Sequence, residues 1–413
     1  MPPAAYGNIE GKGMVPNESP QTPASRIVRC LTILCLMAAP LLPGCVIEPD
    51  PSTSDVTHMA GARPPMSDSR RPVETAEACF RVKHEGGRPF DLRASMFRVP
   101  ESGYGAPAVI LVHGGQRDRT LWDGGPAGLG LANETTLPRV LARLGYTVFA
   151  VDRAGFGAST YGSGPGSMAE LTVDANLQHF VQVVRHVKAG TYRYGSPACE
   201  VATSQGHDKV VIGGLSGGAI ATMGILTRYP DTPLTAAFAV GFSTHGLAPA
   251  VATTAAGCAP NQDALVQGRF YFPACPEVGG HSKTCRDLFF WAPNADPHVV
   301  EASCRNATLT GEPVGEATDL GQTIALIQAN VRNAKDVPFL LAFGERDAAF
   351  TDDHDSPKKE IEQWQTECPC RDKVTPLWIP AAGHEYMFHQ NYEWFNGRMV
   401  EWLAVAGVTA KAA

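Results

Sequence analysis

Six apolar runs set what this chain can fold into. APAVILVHGG, YTVFAVDRAGFG, DKVVIGG, LTAAFAVGFS, VPFLLAFGERD and KVTPLWIPAAGHE each hold a short continuous apolar stretch that ends in glycine, polar residues or both. A strand that is apolar on both faces must be covered on both faces. Continuous runs, as opposed to alternating ones, therefore point to a mostly parallel sheet buried between helices. The segments between them supply the helices: LPRVLARLG with a glycine stop, MAELTVDANLQHFVQVVRHVK as one long amphipathic helix, GGAIATMGILTRYP ending before Pro230, SPKKEIEQWQTE, and NYEWFNGRMVEWLAVAG. FRVKHEG and FDLRASMFRVP alternate instead, as an antiparallel hairpin that opens the sheet. The fold class expected is α/β, with the core carried by residues 79–242 and 321–410.

Residues 243–320 break the rhythm. They hold Cys258, Cys275, Cys285 and Cys304, several prolines, and the aromatic clusters RFYFPAC and DLFFWAP. Lying between two sheet strands, this segment is expected to be a cap or lid that lines a substrate pocket; the alternative is a structural insertion with a small core of its own. Its four cysteines are expected to form two disulfides within the segment, because a loop-rich stretch buries too little apolar surface to order itself.

The N-terminal part reads as a separate entity. Arg26 and Arg29 precede an apolar stretch over residues 30–42, too short for an ordinary membrane span. It ends at Leu42-Pro43-Gly44-Cys45, which resembles the lipobox of bacterial lipoprotein signal peptides. That resemblance implies a signal peptide over residues 1–45, lipidation at Cys45 and an exported, envelope-anchored protein; plain secretion is the alternative. Residues 46–78, rich in Pro, Ser and Asp, read as a flexible tether. Eight cysteines follow Cys45, the others being Cys79, Cys199, Cys368 and Cys370, and an even count in an exported chain points to disulfides. With a net charge of −7 and no Lys/Arg-rich run, nucleic acid is excluded as an expected partner.

The chemistry gathers at strand ends. Gly214-Leu215-Ser216-Gly217-Gly218 places a serine between small residues where a buried strand turns into a helix, the context a nucleophile elbow needs. A serine nucleophile requires a base and a group to orient that base. Asp347 follows one later strand and His384 the next, in the order Ser216, Asp347, His384. Glu345 and Asp352 are the nearby alternatives to Asp347. His113-Gly114-Gly115 ends an earlier strand and offers an oxyanion donor in the backbone of Gly115, with Gln116 second; the other donor would be the backbone N–H of Gly217. Asp152 and Arg153, in the turn VDRAGFGAS, are expected to hold loops together.

These motifs together resemble the α/β-hydrolase superfamily, over about residues 80–405. The resemblance implies an eight-stranded, mostly parallel sheet with a cap after strand six. It also implies a serine hydrolase that cleaves small-molecule or lipid-like carboxylic esters without metal or organic cofactor. C–C bond hydrolysis, lactonase, peptidase or acyltransferase chemistry on the same fold, and a non-catalytic binding protein, are the alternatives.

Overall fold

The computed structural model describes residues 71–410, apart from 101–104, 125–132, 163–164, 196–198, 204–205, 247–268, 271–285, 287–288, 305–310 and 351–354. The expected signal peptide with Cys45, most of the tether, Cys258, Cys275, Cys285 and Asp352 lie outside the described residues.

The strands, in chain order, are β1 (Glu74–Val82), β2 (Phe90–Arg98), β3 (Ala108–Val112), β4 (Thr147–Val151), β5 (Arg193–Tyr194), β6 (Val201–Ala202), β7 (Val210–Leu215), β8 (Ala236–Val240), β9 (Arg269–Phe270), β10 (Glu312–Pro313), β11 (Phe339–Gly344) and β12 (Val374–Ile379). One sheet runs β12-β11-β8-β7-β3-β4-β2-β1-β5-β6, and β9 pairs with β10 alone. From β4 to β12 every pairing is parallel; β2 and β1 join antiparallel. The eight longer strands are the sheet expected. Two-residue β5 and β6 lengthen its edge, and strands that short carry no periodicity for a sequence to reveal.

The helices are α1 (Leu137–Arg143), α2 (Pro165–Glu170), α3 (Val173–Ala189), α4 (Gly217–Arg228), α5 (Pro297–Ser303), α6 (Val314–Ala329), α7 (Asp355–Glu367) and α8 (Tyr392–Val405). Strand side chains alternate between the faces. Ile110 and Val112 of β3 join the core beneath α3, α4 and α6, whereas Val109 and Leu111 join the core beneath α1 and α8. The five residues of β3 are fully buried, each of its Val, Ile and Leu side chains contributing roughly 1.5–3 kcal/mol over an exposed position.

Three sequence expectations need correction. β1 begins at Glu74, inside the stretch read as a tether, because its first residues are exposed and polar and so resemble a linker. The long helix over MAELTVDANLQHFVQVVRHVK is two, α2 and α3: the Thr172 side chain accepts the N–H of Ala175 and starts a new helix there. The boundary at residue 320 falls inside α6, whose Val314 and Ile327 pack into the core. Cys79 and Cys199 form a disulfide, as do Cys368 and Cys370. Cys304 is also disulfide-bonded; the expectation of two bridges within the insertion involves Cys258, Cys275 and Cys285 and lies outside the described residues.

Candidate active site

All of β3, β7, β8, β11 and β12 run in one direction, so their C-terminal ends share one edge of the sheet. Ser216 sits there, between β7 and α4, at φ 52° and ψ −111°. This is a strained conformation for a residue with a Cβ, the signature of a sharp elbow. The glycines around it are required by space. A Cβ at Gly214 would strike the backbone of Gly218, and one at Gly218 would strike the Val112 carbonyl. Gly217 opens α4, where first-turn N–H groups have no acceptor one turn back and the helix dipole favours negative charge.

Asp347, fully buried after β11, accepts from His384 Nδ1 at 2.8 Å through Oδ2, while its Oδ1 accepts the N–H of Ala349 at 3.0 Å. His384 follows β12. Burial pulls the His384 pKa down, but the charge and hydrogen bond of Asp347, with help from Glu385 and against Arg117, raise it above the ordinary imidazole value. The two halves of the site meet across β8. The Ser216 N–H donates to Val240 O at 2.9 Å, and a Cβ on the adjoining Gly241 would lie 3.1 Å from His384 Nδ1 and 3.3 Å from Asp347 Oδ2. No Ser216–His384 hydrogen bond forms among the described residues; such bonds commonly tighten only when substrate binds. Glu345 is turned elsewhere, accepting the N–H of Ala381 at 3.0 Å.

The oxyanion candidates lie close together: Gly115 N is 3.5 Å from the position of a Cβ on Gly217, and a Cβ on Gly114 would lie 3.3 Å from Ser216 Cβ. Gln116, the second choice of donor, is committed elsewhere, since its N–H goes to Glu312 Oε1 at 2.6 Å. Asp152 and Arg153 act as holders. Asp152 accepts the N–H groups of Arg119 and Ala158, each at 2.8 Å. Arg153, buried, donates to Glu312 at 2.8 Å and to both oxygens of Glu316 at 3.1 Å. Burial, and beyond it the neighbouring Glu312, push the Glu316 carboxyl well up despite Arg153.

Several supports escaped sequence reasoning. Arg117 makes a buried bidentate pair with Glu385, at 2.6 and 2.9 Å, tying the loop after Gly115 to the residue beside His384. His389 Nε2 accepts the N–H groups of Trp291 at 2.9 Å and Gly383 at 3.0 Å, holding the insertion against the His384 loop. Phe289 and Phe350 both stack with His384, at centroid distances of 5.5 and 5.9 Å, so apolar surface flanks its imidazole. The partners in the two polar links come from distant parts of the chain, and nothing local marks them. Among the described residues, no cluster of His, Cys, Asp and Glu could hold a metal ion.

A family model for the alpha/beta hydrolase family matches residues 109–398. No protein of curated function matches the sequence. Solved structures are similar to the chain at low identity. An epoxide hydrolase from Vigna radiata is 15% identical, with 81% of this chain and 98% of that chain covered and a TM-score of 0.50. A thermophilic esterase from Thermogutta terrifontis is 18% identical, covering 79% and 98%, at 0.46. A 2-hydroxy-6-oxo-6-phenylhexa-2,4-dienoate hydrolase from Rhodococcus sp. is 16% identical, covering 81% and 100%, at 0.49.

Proposed function

Because the chain belongs to the alpha/beta hydrolase family, we propose that it is a serine hydrolase that cleaves carboxylic esters through Ser216, His384 and Asp347. The observation that carries this reading is the buried Asp347–His384 hydrogen bond set against Gly241, one residue on from the carbonyl that holds the Ser216 backbone. In the proposed cycle His384 Nε2 takes the Ser216 proton as the oxygen attacks the acyl carbon. The charge that develops on the carbonyl oxygen is met by the N–H groups of Gly115 and Gly217. Collapse expels the alcohol, which receives the proton from His384. Water, deprotonated by the same base, then releases the acid and restores Ser216. Asp347 holds the tautomer with a proton on Nδ1 and stabilises the imidazolium.

Ester substrates with apolar acyl or alkoxy groups fit the aromatic side chains flanking His384. We further propose that residues 243–320 serve as a lid over this site, and that the protein is exported, with Cys45 lipidated; the Cys79–Cys199 disulfide is in keeping with an oxidising compartment. The deciding experiment uses p-nitrophenyl butyrate and the Ser216→Ala variant. Loss of the nucleophile should cost ~10⁴-fold or more in kcat with the melting temperature preserved, and a fluorophosphonate should label wild type at Ser216. A folded Ser216→Ala variant that turns over esters normally would overturn the assignment.

A further inference from the structure

We infer that Glu312, carried by the Cys-rich insertion, is a positioning residue for the oxyanion loop, an inference that rests on the serine-hydrolase reading above. Peptide planarity ties the Gly115 donor to the Gly114 carbonyl. The C=O of Gly114 and the N–H of Gly115 belong to one trans peptide and point in opposite directions. Gly114 O accepts from His113 Nδ1 at 2.8 Å and lies 3.5 Å from Arg153 Nη2. His113 Nε2 accepts the N–H of Arg153 at 2.9 Å, so Nδ1 is the donor in the first of these bonds. With its carbonyl held there, the peptide fixes the Gly115 N–H in the opposite direction, and Gly115 N itself lies 3.5 Å from the position of a Cβ on Gly217.

The next peptide must be held as well, and here the insertion enters. Gln116 sits at φ 56°, a conformation that residues with a Cβ leave readily unless something restrains them. Its N–H is buried and donates to Glu312 Oε1 at 2.6 Å, across 196 residues of sequence. Glu312 is itself fixed: Oε2 accepts from Arg153 Nη2 at 2.8 Å, and its strand β10 is anchored by Arg269, which donates to Gly311 O at 2.6 Å and to Gly155 O. Glu312 also packs directly under the loop, since a Cβ on Gly115 would lie 2.5 Å from Oε1. Without this acceptor the buried Gln116 N–H has no partner. The 115–116 peptide then gains by turning; it pivots on the Gly115 Cα that it shares with the 114–115 peptide, so the turn displaces that Cα and carries the Gly115 N–H out of place. The insertion therefore completes the oxyanion hole as well as bordering the site.

Two conservative variants separate this role from a structural one. Glu312→Asp keeps the charge for Arg153 but withdraws the carboxylate from Gln116 by one methylene. Glu312→Gln keeps the reach and an acceptor oxygen for Gln116 but gives up the charge. With p-nitrophenyl butyrate, Glu312→Asp should lower kcat about tenfold to a hundredfold, approaching the value of one oxyanion donor, with KM within about twofold. Its affinity for phenylboronic acid, which forms a tetrahedral adduct on the serine, should fall in parallel. Glu312→Gln should retain kcat better than Glu312→Asp while melting at a lower temperature. If kcat instead follows melting temperature across the two variants, or is equal in both, Glu312 is only structural and the inference fails. Ser216→Ala run alongside keeps the outcomes apart: an active Ser216→Ala removes the serine reading itself, whereas an inactive one with unaffected Glu312→Asp removes only the positioning role.

Discussion

Replacing Gly383 by alanine should damage catalysis far more than one methyl group suggests. Gly383 immediately precedes His384. A Cβ at this position would stand 2.7 Å from Trp291 N, 2.9 Å from the Phe290 carbonyl carbon and 3.0 Å from Phe289 O. All three are backbone atoms, so no side chain can swing aside. Ordinary contact begins near 3.4 Å, which leaves 3.4 − 2.7 = 0.7 Å to be found by moving one backbone away from the other. On one side is the loop that carries His384; on the other is the segment whose Phe289 stacks on the His384 ring. Both are pinned through His389, so the shift falls on the base. A 1 Å misplacement of a reacting group costs on the order of 10²-fold, so 0.7 Å should cost kcat roughly 10- to 100-fold. The overpacking should lower stability by about 1–3 kcal/mol. The assay is p-nitrophenyl butyrate turnover per phosphonate-titrated site, with a thermal melt. Gly321→Ala is the control: it lies exposed in α6 with nothing within 4 Å of its Cβ position, and should leave kcat unchanged. Unchanged kcat in Gly383→Ala would show that the close approach does not position His384.

Asp347→Asn should lower kcat about 10⁴-fold by favouring the wrong imidazole tautomer, whereas Glu345→Gln should be nearly silent; the reverse pattern would move the orienting role to Glu345. Since His384 must be neutral to act as base and its pKa is raised, kcat/KM should climb with pH through a midpoint above the ordinary imidazole value. Glu385→Gln should shift that midpoint down, and an unmoved midpoint would show that Glu385 does not bear on the base. His179 is pushed down from 6.5 to about 3 by burial first and the neighbouring His84 second, so the folded protein refuses a proton that the unfolded chain accepts. Its contribution is complete above 6.5 and is lost as pH falls toward 3; by pH 5 the loss should reach about 2 kcal/mol in urea unfolding. His179→Leu should flatten that part of the pH profile, and an identical acid loss in the variant would refute it.

What could be read along the chain was whatever depends on near neighbours. The continuous apolar runs foretold the parallel strands, because burial on both faces leaves no polar positions. The elbow at Ser216 was legible because tight turns demand small residues within two positions. That Asp347 and His384 meet was legible because residues just past neighbouring parallel strands share one edge of the sheet. The break at Thr172 was also local, a capping threonine hidden inside an amphipathic pattern that continued on both sides of it. The rest needed the folded molecule. Nothing near Cys79 selects Cys199, nothing near Gln116 selects Glu312, and nothing near Arg117 selects Glu385. The physical reason is one of range. Hydrophobic periodicity and turn chemistry act over a few residues and leave a trace in the sequence there. A buried hydrogen bond or ion pair needs only that two groups be brought within 3 Å, and which groups those are is decided by how the strands are ordered in the sheet.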